Sequence, residues 1–230
     1  MNALELQKLT DGYTPKQETL DALRTITLVA LVGPTAAGKT TLTECLVKQD
    51  PSICRVISDV SRPPRKGEVH GMDYNFRSQA DMVDDLQNGL YAQIVLSING
   101  DLYGTRPSNY GDGSFAVIGV WAAAVSMFRA LHFKEVKVIY VVPPDYDTWQ
   151  QRVRTHQFTP EEYIRRMQEA KQSLDFATTD KDVQLVMNDD LSLACHRCMD
   201  ITKSKSLTAP QLASQQQTEH VIKEILSRIS

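Results

Sequence analysis

The stretch Ile26-Thr-Leu-Val-Ala-Leu-Val32-Gly33-Pro34-Thr35-Ala36-Ala37-Gly38-Lys39-Thr40-Thr41 decides the fold. Its first seven residues form a nearly continuous apolar run, the pattern of a strand buried on both faces of a parallel sheet. Gly33-Pro34 stops that strand, and Ala36 to Lys48 reads as a helix. Between them stands G-x-x-x-x-G-K-[ST], from Gly33 to Thr40. Its glycines let the backbone curl so that successive N–H groups face phosphate oxygens, and the helix N-terminus faces the same anion. Lys39 adds charge near the β- and γ-phosphates, and the Thr40 hydroxyl is the candidate Mg²⁺ ligand. Chance gives the pattern in roughly one chain in a hundred of this length. Its place between strand and helix lowers that further. The loop reads as a triphosphate site, with Gly33, Thr35, Ala36, Ala37, Gly38, Lys39, Thr40 and Thr41 around a nucleoside triphosphate.

Strands alternate with helices through the rest of the chain. Further strands are expected at Cys54–Val60, Phe115–Trp121, Val136–Val142 and Val183–Met187. Helices are expected at Pro15–Arg24, Asp145–Thr155, Pro160–Asp175 and Leu191–Ile201. Ser97-Ile-Asn-Gly-Asp-Leu-Tyr103 carries an Asn-Gly pair between apolar flanks, the signal of a tight hairpin. The pattern predicts an α/β fold with a mainly parallel sheet flanked by helices and the hairpin region as an insertion. Thr208 to Thr218 reads as a polar linker and Glu219 to Ile229 as a short amphipathic helix that packs on the domain or dangles.

Composition narrows the function classes. With 42% hydrophobic and 23% charged residues, the 230-residue chain has material for a sizeable core. Its 28 acidic and 25 basic residues give a net charge of −3, so no global basic surplus points to nucleic acid. No apolar run is long enough for a membrane span, and the first residues lack the order of a signal peptide. Four cysteines make no disulfide framework, and a reducing, cytoplasmic setting is expected.

Ser58-Asp-Val-Ser-Arg62-Pro-Pro-Arg65-Lys66-Gly-Glu-Val-His-Gly-Met-Asp73-Tyr74-Asn-Phe76 is the second informative stretch. Two arginines three apart, stiffened by consecutive prolines, make a pair of guanidinium forks suited to bidentate phosphate binding. Tyr74 and Tyr103 can add hydroxyl donors to the same anion.

From residue 26 to 201 the chain resembles guanylate kinases, which move the γ-phosphoryl of ATP to GMP. The resemblance rests on Gly33–Thr41, Ser58–Phe76, Tyr103-Gly104-Thr105, Pro143-Pro144, the arginines between 152 and 166, and Asn188-Asp189-Asp190-Leu191. Arg62 to Phe76 is far more diagnostic than the phosphate loop. The resemblance implies a P-loop NTPase fold with an inserted monophosphate-binding domain near 57–105 and a mobile lid near 150–167. A 1–25 extension and a 202–230 tail flank that domain. It also implies that Arg62, Arg65, Tyr74 and Tyr103 hold the monophosphate, and that Ser58 and Thr105 bond the guanine edge. Arg152 and Arg166 would close over the moving phosphoryl group, and Asn188 would lie near the ATP base. ATP, Mg²⁺ and a nucleoside monophosphate are the implied partners, with no nucleic acid or membrane. Lys39, Arg65, Arg152 and Arg166 are the candidate catalytic residues; phosphoryl transfer needs alignment and charge stabilisation rather than a covalent nucleophile.

The chain departs from the family pattern at the base-reading acids. The run before the Tyr-Gly-Thr hairpin, Asn88-Gly-Leu-Tyr-Ala-Gln93-Ile-Val95, has no carboxylate, and Gln93 is its nearest polar substitute. The strand end Val117-Ile-Gly119-Val-Trp121-Ala122 has none either. A charge-assisted hydrogen bond contributes about 1.5–3 kcal/mol, so each loss predicts roughly a ten- to hundredfold weaker guanine preference. Asp59 is a candidate replacement acid, with an ordinary exposed acid as the other reading. Trp121 ends a buried strand, where a core role is the ordinary reading and stacking on a base the other. His156 takes a lid position where the family has an arginine, and Arg154 is the better cation.

Cys195-His-Arg-Cys198 lies inside an expected helix with no second pair, so it reads as ordinary semi-buried cysteine rather than zinc or redox chemistry. Cys45 and Cys54 fit core positions. Three readings follow: an ATP-dependent kinase of GMP, dGMP or a related monophosphate with an altered base choice; a kinase of another phosphorylated small molecule; or a non-catalytic protein-binding domain. The intact Gly38-Lys39-Thr40 argues against the third.

Overall fold

The computed structural model describes residues 3–65, 67–97, 99–204 and 209–229. Its centre is a five-stranded, fully parallel sheet in the order β2 (Ile53–Arg55), β7 (Phe115–Gly119), β1 (Thr27–Val32), β8 (Glu135–Val142) and β9 (Val183–Met187). Every residue of β1 is buried. Because strand side chains alternate, Leu28, Ala30 and Val32 enter one apolar cluster and Val29 and Leu31 another. The first lies under α5 (Val125–Ala130), α6 (Tyr146–Arg154), α7 (Pro160–Thr179) and α9 (Ala209–Ile229). The second lies under α3 (Lys39–Gln49) and α8 (Leu191–Thr202). Local chemistry sets the helix starts. Asp145 caps α6, Asp190 caps α8, and Thr159 with Glu162 forms a capping box ahead of α7.

A second sheet of four strands, in the order β4 (Asn75–Phe76), β3 (Asp59–Val60), β6 (Leu102–Thr105) and β5 (Gln93–Leu96), stands over the carboxyl end of the first. The Asn-Gly signal is met by an antiparallel β5–β6 pairing, with Leu96 opposite Leu102; Ile98 in that loop lies outside the described residues. α1 (Ala3–Asp11) and α4 (Gln79–Gln87) cover this sheet, with Leu6, Met82, Leu86, Tyr91, Ile94 and Leu102 in a third apolar cluster.

The expected single strand Cys54–Val60 is two strands in different sheets. β2 ends at Arg55, the chain crosses over at Val56-Ile57-Ser58, and β3 begins at Asp59. Buried apolar residues recur through both halves, at Ile53, Val56 and Val60, which hides the change of partner. The expected linker through Thr218 is also corrected: α9 runs from Ala209, and Thr208 itself lies outside the described residues. Its alanine and glutamines are good helix formers, and polarity alone does not make a linker. Val221, Ile222 and Ile225 of α9 are in the main core, and Arg228 lies 5.0 Å from the Tyr146 ring on α6. α1 was absent from the sequence reading, and α2 is only Gln17–Asp21 within the expected Pro15–Arg24.

Candidate active site

The phosphate loop is held open by groups distant in sequence. Gly33 and Gly38 have φ of +148° and +99°, and Ala36 is also left-handed at +62°. A side chain at Gly33 would strike the Val141 carbonyl at 2.5 Å, so glycine is required there by both conformation and space. The Trp149 indole N–H donates to the Thr35 carbonyl at 2.8 Å, and the Asn188 amide donates to the Ala37 carbonyl at 2.8 Å. Both turn loop carbonyls outward. Lys39 donates to the carbonyls of Gly33 and Pro34 at 2.7 and 2.9 Å. Burial, reinforced by the charge of Arg166, lowers its ammonium to about 8. Thr40 lies in the first turn of α3 and is exposed; among the described residues its hydroxyl has no protein partner, which suits a magnesium ligand.

A cleft of about 560 Å³ opens beside this loop. Lys39, Thr40, Ser58, Tyr74 and Arg166 all line it, so the two informative stretches and α7 converge on one space. Arg166 is paired with Glu169 at 2.7 Å and lies over the Phe158 ring. Arg152 lies elsewhere: it donates to the Asn188 carbonyl at 3.1 Å and is absent from the cleft wall. Arg154 ends α6 exposed to solvent, and His156 stacks on Phe158.

On the acceptor side Arg62 is buried and already organised. Glu68 takes two of its N–H groups at 2.6 and 2.7 Å, and Tyr103 accepts from its Nε at 3.0 Å. Tyr74 and Phe76 flank the guanidinium at 5.2 and 5.7 Å. Hydrogen bonds from Arg62, aided by the Arg65 N–H and the Arg62 charge, hold Glu68 down at about 2, so this pair is intact above the ordinary carboxylate range and lost only as pH falls toward 2. Burial raises Tyr74, which therefore stays a phenol and a donor. Arg65 is exposed, with its side chain free of protein partners among the described residues.

The base-reading side looks different. Thr105 is fully buried, its hydroxyl shared between Gln93 at 3.2 Å and Tyr110 at 2.7 Å. Neither Thr105 nor Gln93 lines the cleft. Asp59 is no replacement acid: it is fully buried with both oxygens engaged. Asn75 and Asn109 donate to one oxygen at 3.1 and 3.0 Å; Arg77, Tyr91 and Arg106 surround the other at 3.2, 3.1 and 2.9 Å. Asp85 pairs with Arg77 and Arg106 as well. This ion cluster ties α4, β3, β4 and β6 together and is the polar core of the small sheet. Trp121 is not core either; it is 67% exposed and lines the cleft.

The cysteines also depart from expectation. Cys45 of α3 and Cys195 of α8, 150 residues apart, are joined in a disulfide, while Cys54 and Cys198 are free. Both helices pack on the same sheet face, which only the tertiary fold reveals. Burial pushes the Cys198 thiol up to about 12 and makes it unreactive.

Residues 25–205 match the family model for guanylate kinase. The chain belongs to the guanylate kinase family. It is 31% identical over 172 residues to a guanylate kinase of Nostoc sp., covering 73% of this chain and 84% of that one. It is 30% identical over 188 residues to a guanylate kinase of Thiobacillus denitrificans, covering 79% and 88%. The crystal structure of guanylate kinase from Anaplasma phagocytophilum shares the fold, with a TM-score of 0.57 at 19% identity over 85% of this chain and 95% of that one. As a guanylate kinase family member the chain is an ATP-binding nucleoside monophosphate kinase. No helix among the described residues is long and apolar enough to cross a membrane. Sequence reasoning missed Trp149 and Glu68, whose work is to hold other site residues; Trp149 lies outside any nucleotide motif, and Glu68 lies within the Arg62–Phe76 stretch but touches Arg62 rather than a ligand. It also missed Arg55 and Glu169, which line the cleft.

Proposed function

We propose that the chain transfers the γ-phosphoryl group of ATP to GMP or dGMP, with looser reading of the base than its family pattern implies. The observation that carries this is the single cleft shared by Lys39, Thr40, Ser58, Tyr74 and Arg166. The loop N–H groups from Gly33 to Thr41 bind the triphosphate, and Lys39 leaves its two carbonyl partners to meet the β- and γ-phosphates. Thr40, together with the phosphates and water, would hold Mg²⁺, which would supply charge neutralisation on the transferring group when bound. Arg62, orientated by Glu68, acts with Arg65, Tyr74 and Tyr103 to fix the acceptor phosphate in line. That phosphate is already ionised at neutral pH, so no side chain need act as general base. Arg166 brings its guanidinium to the developing charge, an effect that can be worth about 10³–10⁵ in rate. Arg152 and Asn188 brace the ATP side, and Ser58 offers an unpaired hydroxyl to the base.

The test is ADP release from ATP and Mg²⁺ with a panel of ribo- and deoxymonophosphates, using Lys39→Ala as control. Turnover with GMP or dGMP supports the reading. Turnover with only a different phosphorylated small molecule would replace it by the second reading. ATP binding with silence across every acceptor would overturn it.

A further inference from the structure

Of the large apolar side chains exposed among the described residues, Trp121 is the one that lines the cleft. It follows the carboxyl end of β7, where ligands of open α/β sheets bind. β2 is the next strand, with Arg55 opposite Val117, so the segment leading to Ser58 emerges beside Trp121. Gly119, Val120 and Trp121 all line the cleft, and of these Val120 is buried while Gly119 and Trp121 are exposed. A Cβ at Gly119 would meet nothing within 4 Å, so open space stands beside the indole.

The carboxylates that line the cleft are Asp73 and Glu169. Asp73 accepts the Val69 N–H at 2.8 Å and Glu169 is paired with Arg166. Asp59 is sealed inside the small sheet. Each lining acid is therefore held through one oxygen, and the wall beside Trp121 offers a bare aromatic face. Stacking favours large π-surfaces and is tolerant of the base edge.

We infer that Trp121 is a specificity-determining residue of the acceptor site: it stacks on the base and selects purine over pyrimidine monophosphates by area. This rests on the reading of the cleft as a monophosphate site. Arg55 and Ser58, unpaired in the protein among the described residues, flank the stacked base with polar contacts that any purine can meet.

Tryptophan fluorescence with acrylamide quenching tests this, because Trp149 is fully buried and Trp121 carries the accessible signal. GMP, AMP and CMP are titrated into wild type, Trp121→Phe and Trp121→Ala, and steady-state kinetics are run on the same set. GMP and AMP are expected to shield Trp121 from acrylamide and CMP much less. Trp121→Ala should raise the KM of both purine monophosphates by about ten- to a hundredfold, with the KM for ATP little changed. Its purine-to-pyrimidine ratio should fall toward one, and Trp121→Phe should retain part of it. Turnover of GMP with no shielding, or an unchanged ratio in Trp121→Ala, would overturn the inference while the proposed function stands. Loss of turnover with every monophosphate in wild type would overturn the proposed function instead, and the shielding measurement would still decide whether Trp121 meets a purine.

Discussion

The two halves of the cleft are built on different principles. On the proposed triphosphate side, backbone groups would do the recognising, and side chains such as Trp149 and Asn188 hold that backbone in place. On the proposed acceptor side, side chains would do the recognising, and a buried ion cluster around Asp59 holds the sheet that carries them. Backbone recognition requires a fixed loop sequence and therefore stays intact or is lost as a unit. Side-chain recognition can change one residue at a time, which is how a phosphate grip remains beside a wall without base-reading acids.

The largest effect that separates the halves is expected from Asp59→Ala, which leaves Arg77 and Arg106 without their central buried partner. A loss of about 3–5 kcal/mol in the stability of the small sheet is expected, read by urea unfolding. The KM for the monophosphate should rise steeply while ATP binding to the loop persists. If ATP binding fell equally, the two halves would be one unit.

Lys39→Ala attacks the other half. A drop of about a hundred- to a thousandfold in kcat is expected, with little loss of thermal stability and unchanged monophosphate binding. Titration sharpens the same point. Lys39 sits at about 8 in the free protein, below its unfolded value, so ATP must draw a proton onto it when binding above that pH. ATP affinity should be flat below pH 8 and fall by at most about tenfold per unit above it, while GMP affinity does not follow. The sign for folding is opposite: the unfolded chain binds the proton more tightly, so this group's contribution to stability rises with pH above 8. Calorimetry in buffers of different ionisation enthalpy reads the proton directly; no uptake at pH 9 would contradict the assignment.

The smallest of these effects is expected from Trp149→Phe, which keeps most of the ring but frees the Thr35 carbonyl. A hydrogen bond of this kind contributes about 1 kcal/mol, so the KM for ATP should rise about fivefold with acceptor selectivity unchanged.

What was legible in the sequence follows the same division. Gly33 to Thr40 and Arg62 to Phe76 are contiguous, so their chemistry can be read in a line. The β1 run and the Asn-Gly hairpin were equally plain because strand burial and turn geometry are local. Asp59 was misread because a buried acid and an exposed one look alike until the partners, Asn75, Arg77, Tyr91, Arg106 and Asn109, are folded around it. In sequence Cys45 reads as a core residue and Cys195 as an ordinary semi-buried cysteine, since only helix packing brings them together. Trp121 was assigned by its neighbours in sequence, yet its side chain emerges where the strand has already left the sheet.

The central claim is that phosphate recognition is intact while the acid that would read the guanine amino edge is absent. The most direct measurement is the ratio of kcat/KM for GMP to that for IMP, which differ by the 2-amino group alone. A ratio within about tenfold is predicted, because the two carboxylates that line the cleft are already tied, Asp73 to the Val69 N–H and Glu169 to Arg166. A ratio above about a hundredfold would show that an acid does read the edge and would contradict the account.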